Sequence, residues 1–170
     1  IDAANYNTGV GVDVFAALTS GDDNTAVGSK AGYSLITTAA GNTLIGTKAG
    51  YLQTTANNNV VIGYNASYYN LTGGASVFVG NQSGIHTRST TGTNTVMGYK
   101  AMYNGHSTYN DNIAHSNTVI GEGNILSGAD HSIIFGSFNK ILSANRDFIR
   151  TLSGESAANR YNIACNKYRS

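Results

Sequence analysis

The chain has 170 residues, 41% hydrophobic and only 11% charged, with 21 glycines, no proline, no tryptophan and a formal net charge of +1. That balance gives no reason to expect nucleic acid as a partner, one cysteine (Cys165) rules out an intrachain disulfide, and no apolar run approaches the ~18 residues of a membrane span. The charges are unevenly placed: residues 1–23 hold Asp2, Asp13, Asp22 and Asp23 with no base, whereas 24–110 hold Lys30, Lys48, Arg88 and Lys100 with no acid.

Along the chain one five-residue phrase recurs. A loose copy at Asn7–Gly11 (NTGVG) is followed by Asn24–Gly28 (NTAVG), Asn42–Gly46 (NTLIG), Asn59–Gly63 (NVVIG), Ser76–Gly80 (SVFVG), Asn94–Gly98 (NTVMG), Asn117–Gly121 (NTVIG) and Ser132–Gly136 (SIIFG). The glycine-to-glycine steps are 17, 18, 17, 17, 18, 23 and 15 residues. A near-fixed period of this size is the mark of a solenoid, and disordered polar chains lack such regular apolar triplets. Short apolar, β-branched runs between asparagine and glycine read as strands. The two positions before the glycine are both apolar from copy to copy, as in Ala26-Val27, Leu44-Ile45, Val61-Ile62 and Phe78-Val79. Adjacent strand residues point to opposite faces, so each strand is apolar on both sides. With no helix in the sequence to cover the second face, self-association around an axis is expected.

A second set of columns follows the glycine. Small residues stand three positions on (Ala31, Ala49, Ala66, Ser83, Ala101), suited to a tight interior, and aromatic residues stand five on (Tyr33, Tyr51, Tyr68, with Ile85 in one copy, then Tyr103), expected as a partly buried stack. Two positions on, Lys30, Lys48, Asn65, Gln82 and Lys100 are expected to face water. Asparagine four before the glycine suggests a side-chain amide ladder or a repeated turn cap. The Thr/Ala/Gly stretches 37–41 and 54–57 read as a polar outer return. Between Gly98 and Gly121 the excess residues form an expected protruding loop near 104–116, and beyond Gly121 the period shortens. This divides the chain into 1–121, with 17–18-residue repeats, and 122–170, with 14–15-residue coils continuing through Asp147–Arg150 and Asn162–Cys165 to the C-terminal end.

These residues carry a resemblance. The shorter coils are similar to the left-handed parallel β-roll of trimeric autotransporter adhesin heads. The longer repeats, in the pattern of Asn24–Tyr33 (NTAVGSKAGY), more closely resemble repeat regions of bacteriophage tail-fibre and tailspike proteins. In many of those, a self-cleaving endosialidase-type intramolecular chaperone follows and is cut off after a serine. The resemblance therefore implies an all-β parallel β-solenoid or left-handed β-roll of 14–18-residue coils, assembled as an intertwined or side-by-side homotrimer. It also implies a place in the virion, with other tail components and a host cell-surface carbohydrate or protein receptor as partners. Under the same resemblance Ser170 fits a processing end, and the start at Ile1 rather than Met fits a trimmed piece of something longer.

The residues themselves point away from catalysis, metal or cofactor. Asp22-Asp23, the one adjacent carboxylate pair, reads as a solvated turn rather than a cation site or half of a glycosidase pair. His86, His106, His115 and His131 lack metal-ligand spacing, although a trimer axis could gather three copies of one of them. Cys165 reads as a small buried residue, and the glycosylation-like triplets at Asn65, Asn70 and Asn81 as chance matches in an Asn/Ser/Thr-rich chain. Two groups are candidates for ligand binding. One is the long loop with Tyr103, His106, Tyr109, Asn110, Asp111 and His115, raised from a rigid scaffold. The other is the Lys30, Lys48, Lys100 stripe, which suits anionic polysaccharide or phosphate. The expected function is a non-enzymatic trimeric rod mediating attachment to a bacterial surface, without membrane insertion. The alternatives are a bacterial trimeric adhesin head, located at the cell surface, and, from other classes, a polysaccharide depolymerase or an ice-binding solenoid. The ice reading rests on threonines in successive returns (Thr37, Thr55, Thr72, Thr90), a set whose register the insertions disturb.

Overall fold

The computed structural model describes residues 4–36, 38–86, 93–103, 116–127, 131–142 and 148–150. Among them there is no helix; the chain is a parallel β-solenoid with one three-residue strand per coil over most of its length. Strands β1 (Thr8–Val10), β2 (Thr25–Val27), β3 (Thr43–Ile45), β4 (Val60–Ile62), β5 (Val77–Val79), β6 (Thr95–Met97) and β7 (Thr118–Ile120) stack in chain order. In the shorter coils a second strand appears: β8 (Ile125–Ser127) pairs with β10 (Lys140–Leu142), while β9 (Ile133–Phe135) and β11 (Phe148–Arg150) extend the first sheet.

The register follows the recurring phrase. Ala26 faces Leu44, Leu44 faces Val61, Val61 faces Phe78, Phe78 faces Val96, Val96 faces Val119 and Val119 faces Ile134. Even the 23-residue step leaves Val96 opposite Val119, so the insertion is absorbed wholly between strands. At the far end, Phe148–Arg150 lie opposite Ile133–Phe135, a step of 15 where the sequence pattern suggested 14.

From β2 to β7 and in β9, burial sorts the three residues of each strand. The middle one is fully buried: Ala26, Leu44, Val61, Phe78, Val96, Val119 and Ile134 are all at 0% exposure. The small column Ala31, Ala49, Ala66, Ser83 and Ala101 is buried behind them, as expected. The return, expected to be an outer polar stretch, is not wholly so. Ala39 and Ala56 are buried in it, and Leu18, Leu35, Gln53 and Asn70 are buried in the segments leading into the returns. A thin coil has no other source of atoms to fill the side opposite the strand. The Gln53 amide donates to Ser67 Oγ at 3.2 Å, and its own oxygen is buried without a partner.

Two backbone devices keep the coils in step. The phrase glycines all have φ between 127° and 138°, a region that side chains rarely tolerate. A Cβ on Gly46 would stand 2.7 Å from the backbone of Gly63 in the next coil, so the close stacking of successive corners requires glycine on both grounds. The second device is the asparagine column. Asn42 Nδ2 donates to Asn24 Oδ1 at 2.9 Å and across the coil to the Ala56 carbonyl at 2.7 Å, while its own oxygen accepts from the Asn59 backbone N–H at 3.0 Å. Asn24, Asn59 and Asn117 repeat the inter-coil pattern, as does Asn139 on Asn124. Amide ladder and turn cap are thus one and the same structure. Where Ser76 replaces asparagine, its hydroxyl accepts from Asn94 N–H and the column continues.

The first coil is built differently. Its middle strand residue is Gly9 rather than a large apolar side chain, and a Cβ there would meet Val14 at 3.0 Å and Phe15 at 3.3 Å. Phe15 fills that space, and its ring also approaches Gly32, so the interior is covered at this end by one aromatic side chain.

Candidate functional site

Two long surfaces run parallel to the stack. The first is the outer face of the main sheet, which follows from strand alternation: with the middle residue inside, both flanking residues point out. Val27, Ile45, Ile62, Met97 and Phe135 form an aliphatic and aromatic column with 36% to 41% of each side chain exposed, and Val10 at the first coil is 59% exposed. Beside it run the first strand positions Thr8, Thr25, Thr43, Val60, Val77, Thr95, Thr118 and Ile133. On the other side of the glycines stand Tyr64 and Tyr99, each 48% exposed. In-register threonines lie here, on the strands; of the return threonines, Thr37 and Thr90 lie outside the described residues. The indels fall between strands and leave this column aligned.

The second surface is the corner after the glycine. A backbone hydrogen bond from the residue three on back to the glycine carbonyl closes a tight turn, as in Ala31 N–H to Gly28 at 3.2 Å and Ala49 N–H to Gly46 at 3.1 Å. The third turn residue takes positive φ: Lys30 60°, Lys48 57°, Asn65 52°, Gln82 57°, Lys100 51°. Glycine or asparagine fills such a position most easily, and stacking on neighbouring corners holds the other residues there. These side chains are half-buried rather than fully in water, and Asn65 Oδ1 is buried without a partner.

Each lysine lies along a tyrosine. Lys30 Nζ stands 5.9 Å from the centre of the Tyr33 ring, Lys48 Nζ 5.9 Å from Tyr51, and Lys100 Nζ 5.1 Å from Tyr99 and 5.3 Å from Tyr103. At that range the ring quadrupole attracts the ammonium by about 0.5–1 kcal/mol at an exposed site. The rings stack on one another, Tyr33 on Tyr51 at 5.0 Å and Tyr51 on Tyr68 at 4.8 Å. The expected column then changes tracks. Ile85 turns inward and is buried, and the aromatic run passes from Tyr68 to Tyr69 and to His86 stacked on it at 4.8 Å, then to Tyr103. The doublet Tyr68-Tyr69 is the one sequence signal of this step. Burial, followed by the neighbouring Tyr51, Tyr69 and Tyr64 phenols, pushes the Tyr68 hydroxyl above its ordinary pKa, and burial holds His86 below its own.

The structure therefore brings Lys30, Lys48, Lys100 and Tyr103 onto one edge. Of the loop candidates, His106, Tyr109, Asn110, Asp111 and His115 lie outside the described residues, as do Ser170 and Cys165. Asp22 accepts the Asn5 backbone N–H at 2.7 Å and Asp23 sits at φ 56°, the turn role expected of the pair. Asn70 is buried and bonded within its own turn to Gly73, which removes it as a glycosylation acceptor in the folded chain. Among the described residues no cluster of His, Cys, Asp and Glu could hold a metal ion, and no helix is long and apolar enough to cross a membrane. No protein family, curated protein or solved structure matches this chain.

Proposed function

We propose that the chain is a non-enzymatic, trimeric rod: a structural and host-attachment segment of a phage tail fibre or tailspike, with the virion as its location. The observation that carries this reading is the apolar column on the outer strand face. From β1 to β9 it spans eight coils, and at ~4.8 Å per parallel strand that is a stripe of about 34 Å. Contiguous exposed apolar patches of this extent mark interaction surfaces, and three copies of the solenoid facing a common axis would cover theirs with one another. Fibre function is then mechanical and multivalent, because three identical edges raise the avidity for a repeated cell-surface ligand. The phrase resemblance to tail-fibre repeats supports the same reading.

Mass in solution tests it. Light scattering on the purified 170-residue chain is expected to give three times the 17.7 kDa chain mass. A stable, monodisperse monomer would overturn the proposal.

A second reading draws on the aligned threonines Thr8, Thr25, Thr43, Thr95 and Thr118 beside the aliphatic column, a surface of the kind an ice-binding solenoid presents. Val60 and Val77 interrupt that column at its centre and favour apolar contact with a partner. Thermal hysteresis by the intact chain would decide for ice.

A further inference from the structure

The lysine and tyrosine edge has a use that the outer strand face does not account for. We propose that it is a binding track for an acidic polysaccharide, with the glycan strand lying along the solenoid axis. This deepens the attachment reading by naming its ligand class, and it rests on that reading for its biological setting, though not on trimerisation.

Three observations converge on it. From Asn24 to Asn110 the sequence carries bases and no acid; the acids nearest in the stack are Asp13, at the same positive-φ corner one coil before Lys30, and Glu122, one coil beyond Lys100. Between those two ends the corners carry only cations and neutral amides, which sets up a positive field along this part of the rod rather than at one point. Next, the ammonium groups are pre-positioned. Each corner is closed by backbone hydrogen bonds to the coils around it, and each Nζ lies over a tyrosine ring. A ligand therefore meets cations whose freedom is already reduced, which lowers the entropy cost of binding. Finally, the rings cover one another's faces at 4.8–5.0 Å, so the stack offers a ligand ring edges and hydroxyls rather than open π-faces. Hydroxyls at a regular spacing beside cations suit a chain of sugar hydroxyls and carboxylates. They do not suit nucleic-acid bases, which need free aromatic faces to stack upon. The one-coil rise of ~4.8 Å is also comparable to a sugar unit in an extended glycan, so successive units would meet successive corners, cationic at Lys30, Lys48 and Lys100 and amide at Asn65 and Gln82.

The test uses the whole chain and three probes: short polygalacturonate fragments, neutral dextran, and single-stranded oligothymidylate, each titrated calorimetrically at low and moderate salt. Polygalacturonate is expected to bind with an affinity that falls as salt rises, and dextran is expected not to bind. The triple variant Lys30→Gln, Lys48→Gln, Lys100→Gln is expected to weaken polygalacturonate by about tenfold or more, the sum of three partly exposed charge contacts. Glutamine is a suitable replacement because Gln82 already occupies the same corner at φ 57°. Circular dichroism and the melting midpoint confirm that the variant keeps the fold. Tyr33→Phe and Tyr51→Phe, which keep the stack and remove only hydroxyls, are expected to weaken binding by a smaller factor. Unchanged affinity in the folded triple variant, equal binding of dextran, or tighter binding of oligothymidylate would each overturn the proposal. The mass measurement remains separate: a trimer that ignores polygalacturonate leaves the rod and removes the track, and a monomer that binds it does the reverse.

Discussion

In several strands of the main sheet two neighbouring residues have nearly the same chemistry and opposite fates. Leu44 is fully buried and Ile45 is 39% exposed; Val61 is fully buried and Ile62 is 36% exposed. In a sheet packed on one side, the outward residue is ordinarily polar. Here the aliphatic character continues outward across most of the stack, through Val27, Ile45, Ile62, Met97 and Phe135. The inner column accounts for the stability of the single coil. The outer column contributes little to that coil, and in the proposed trimer neighbouring copies would cover it. On that proposal, two apolar columns separated by one peptide unit belong to two levels of organisation.

The sharpest way to break the comparison is a pair of substitutions on the two faces. Phe78→Ala, on the inner face, is expected to cost about 3–5 kcal/mol in chemical unfolding, the usual loss when a buried aromatic leaves a cavity. Ile62→Ser, on the outer face, is expected to cost below about 1 kcal/mol in the isolated coil while shifting the light-scattering mass from trimer towards monomer. If Ile62→Ser destabilises the coil as much as Phe78→Ala at every protein concentration, the assignment of the two columns to two levels fails.

A smaller effect is expected from the asparagine column that fixes which residue faces inward. Asn59→Ala removes the amide bonds to Asn42 and Gly73 and leaves the Ser76 backbone N–H without its acceptor. Buried unpaired groups cost about 1–3 kcal/mol each, so a loss of about 3 kcal/mol is expected in urea unfolding. Asn59→Ser, which copies the equivalent Ser76 whose hydroxyl accepts the Asn94 N–H, keeps an acceptor for Ser76 N–H and loses the Nδ2 donor, so it separates the cap from the ladder. A loss as large as that of Asn59→Ala would assign the stabilisation to the ladder.

The smallest effect concerns the aromatic edge. His86 is held below the ordinary value of 6.5 by burial, so the unfolded chain takes up its proton first as pH falls. The stabilisation is complete above pH 6.5, declines as pH passes from there through the lower folded value, and is then lost. The difference in stability between wild type and His86→Gln is expected to shrink across that window and to be constant above it. A difference independent of pH would show that His86 titrates as it does in the unfolded chain.

Much of this architecture was legible in the amino-acid sequence. The strands, the inward small column Ala31, Ala49 and Ala66, the Tyr33–Tyr51–Tyr68 stack and the asparagine ladder all sit at constant offsets from a glycine. Only one register aligns every column at once, so chemistry repeated at fixed spacing is enough to specify it. The loop group at 104–116 rests on the absence of repeat, and an irregular insertion carries no neighbouring coil from which to read its shape.

Other features required the tertiary structure. Strand alternation separates two apolar columns but is symmetric with respect to inside and outside; the direction in which the coil closes decides that Leu44 is core and Ile45 is surface. The return and the segment leading into it supply Leu35, Ala39 and Ala56 to the interior because a narrow coil must be filled from every side, a demand of volume that no local pattern states. The lysines and tyrosines stand two and five residues after the glycine, and only the turn with positive φ at Lys30, Lys48 and Lys100 brings each ammonium to its ring. Repetition in the sequence determines that the chain stacks and in what register. The curvature of the coil, set by backbone sterics and core volume, determines which residues the outside world can meet.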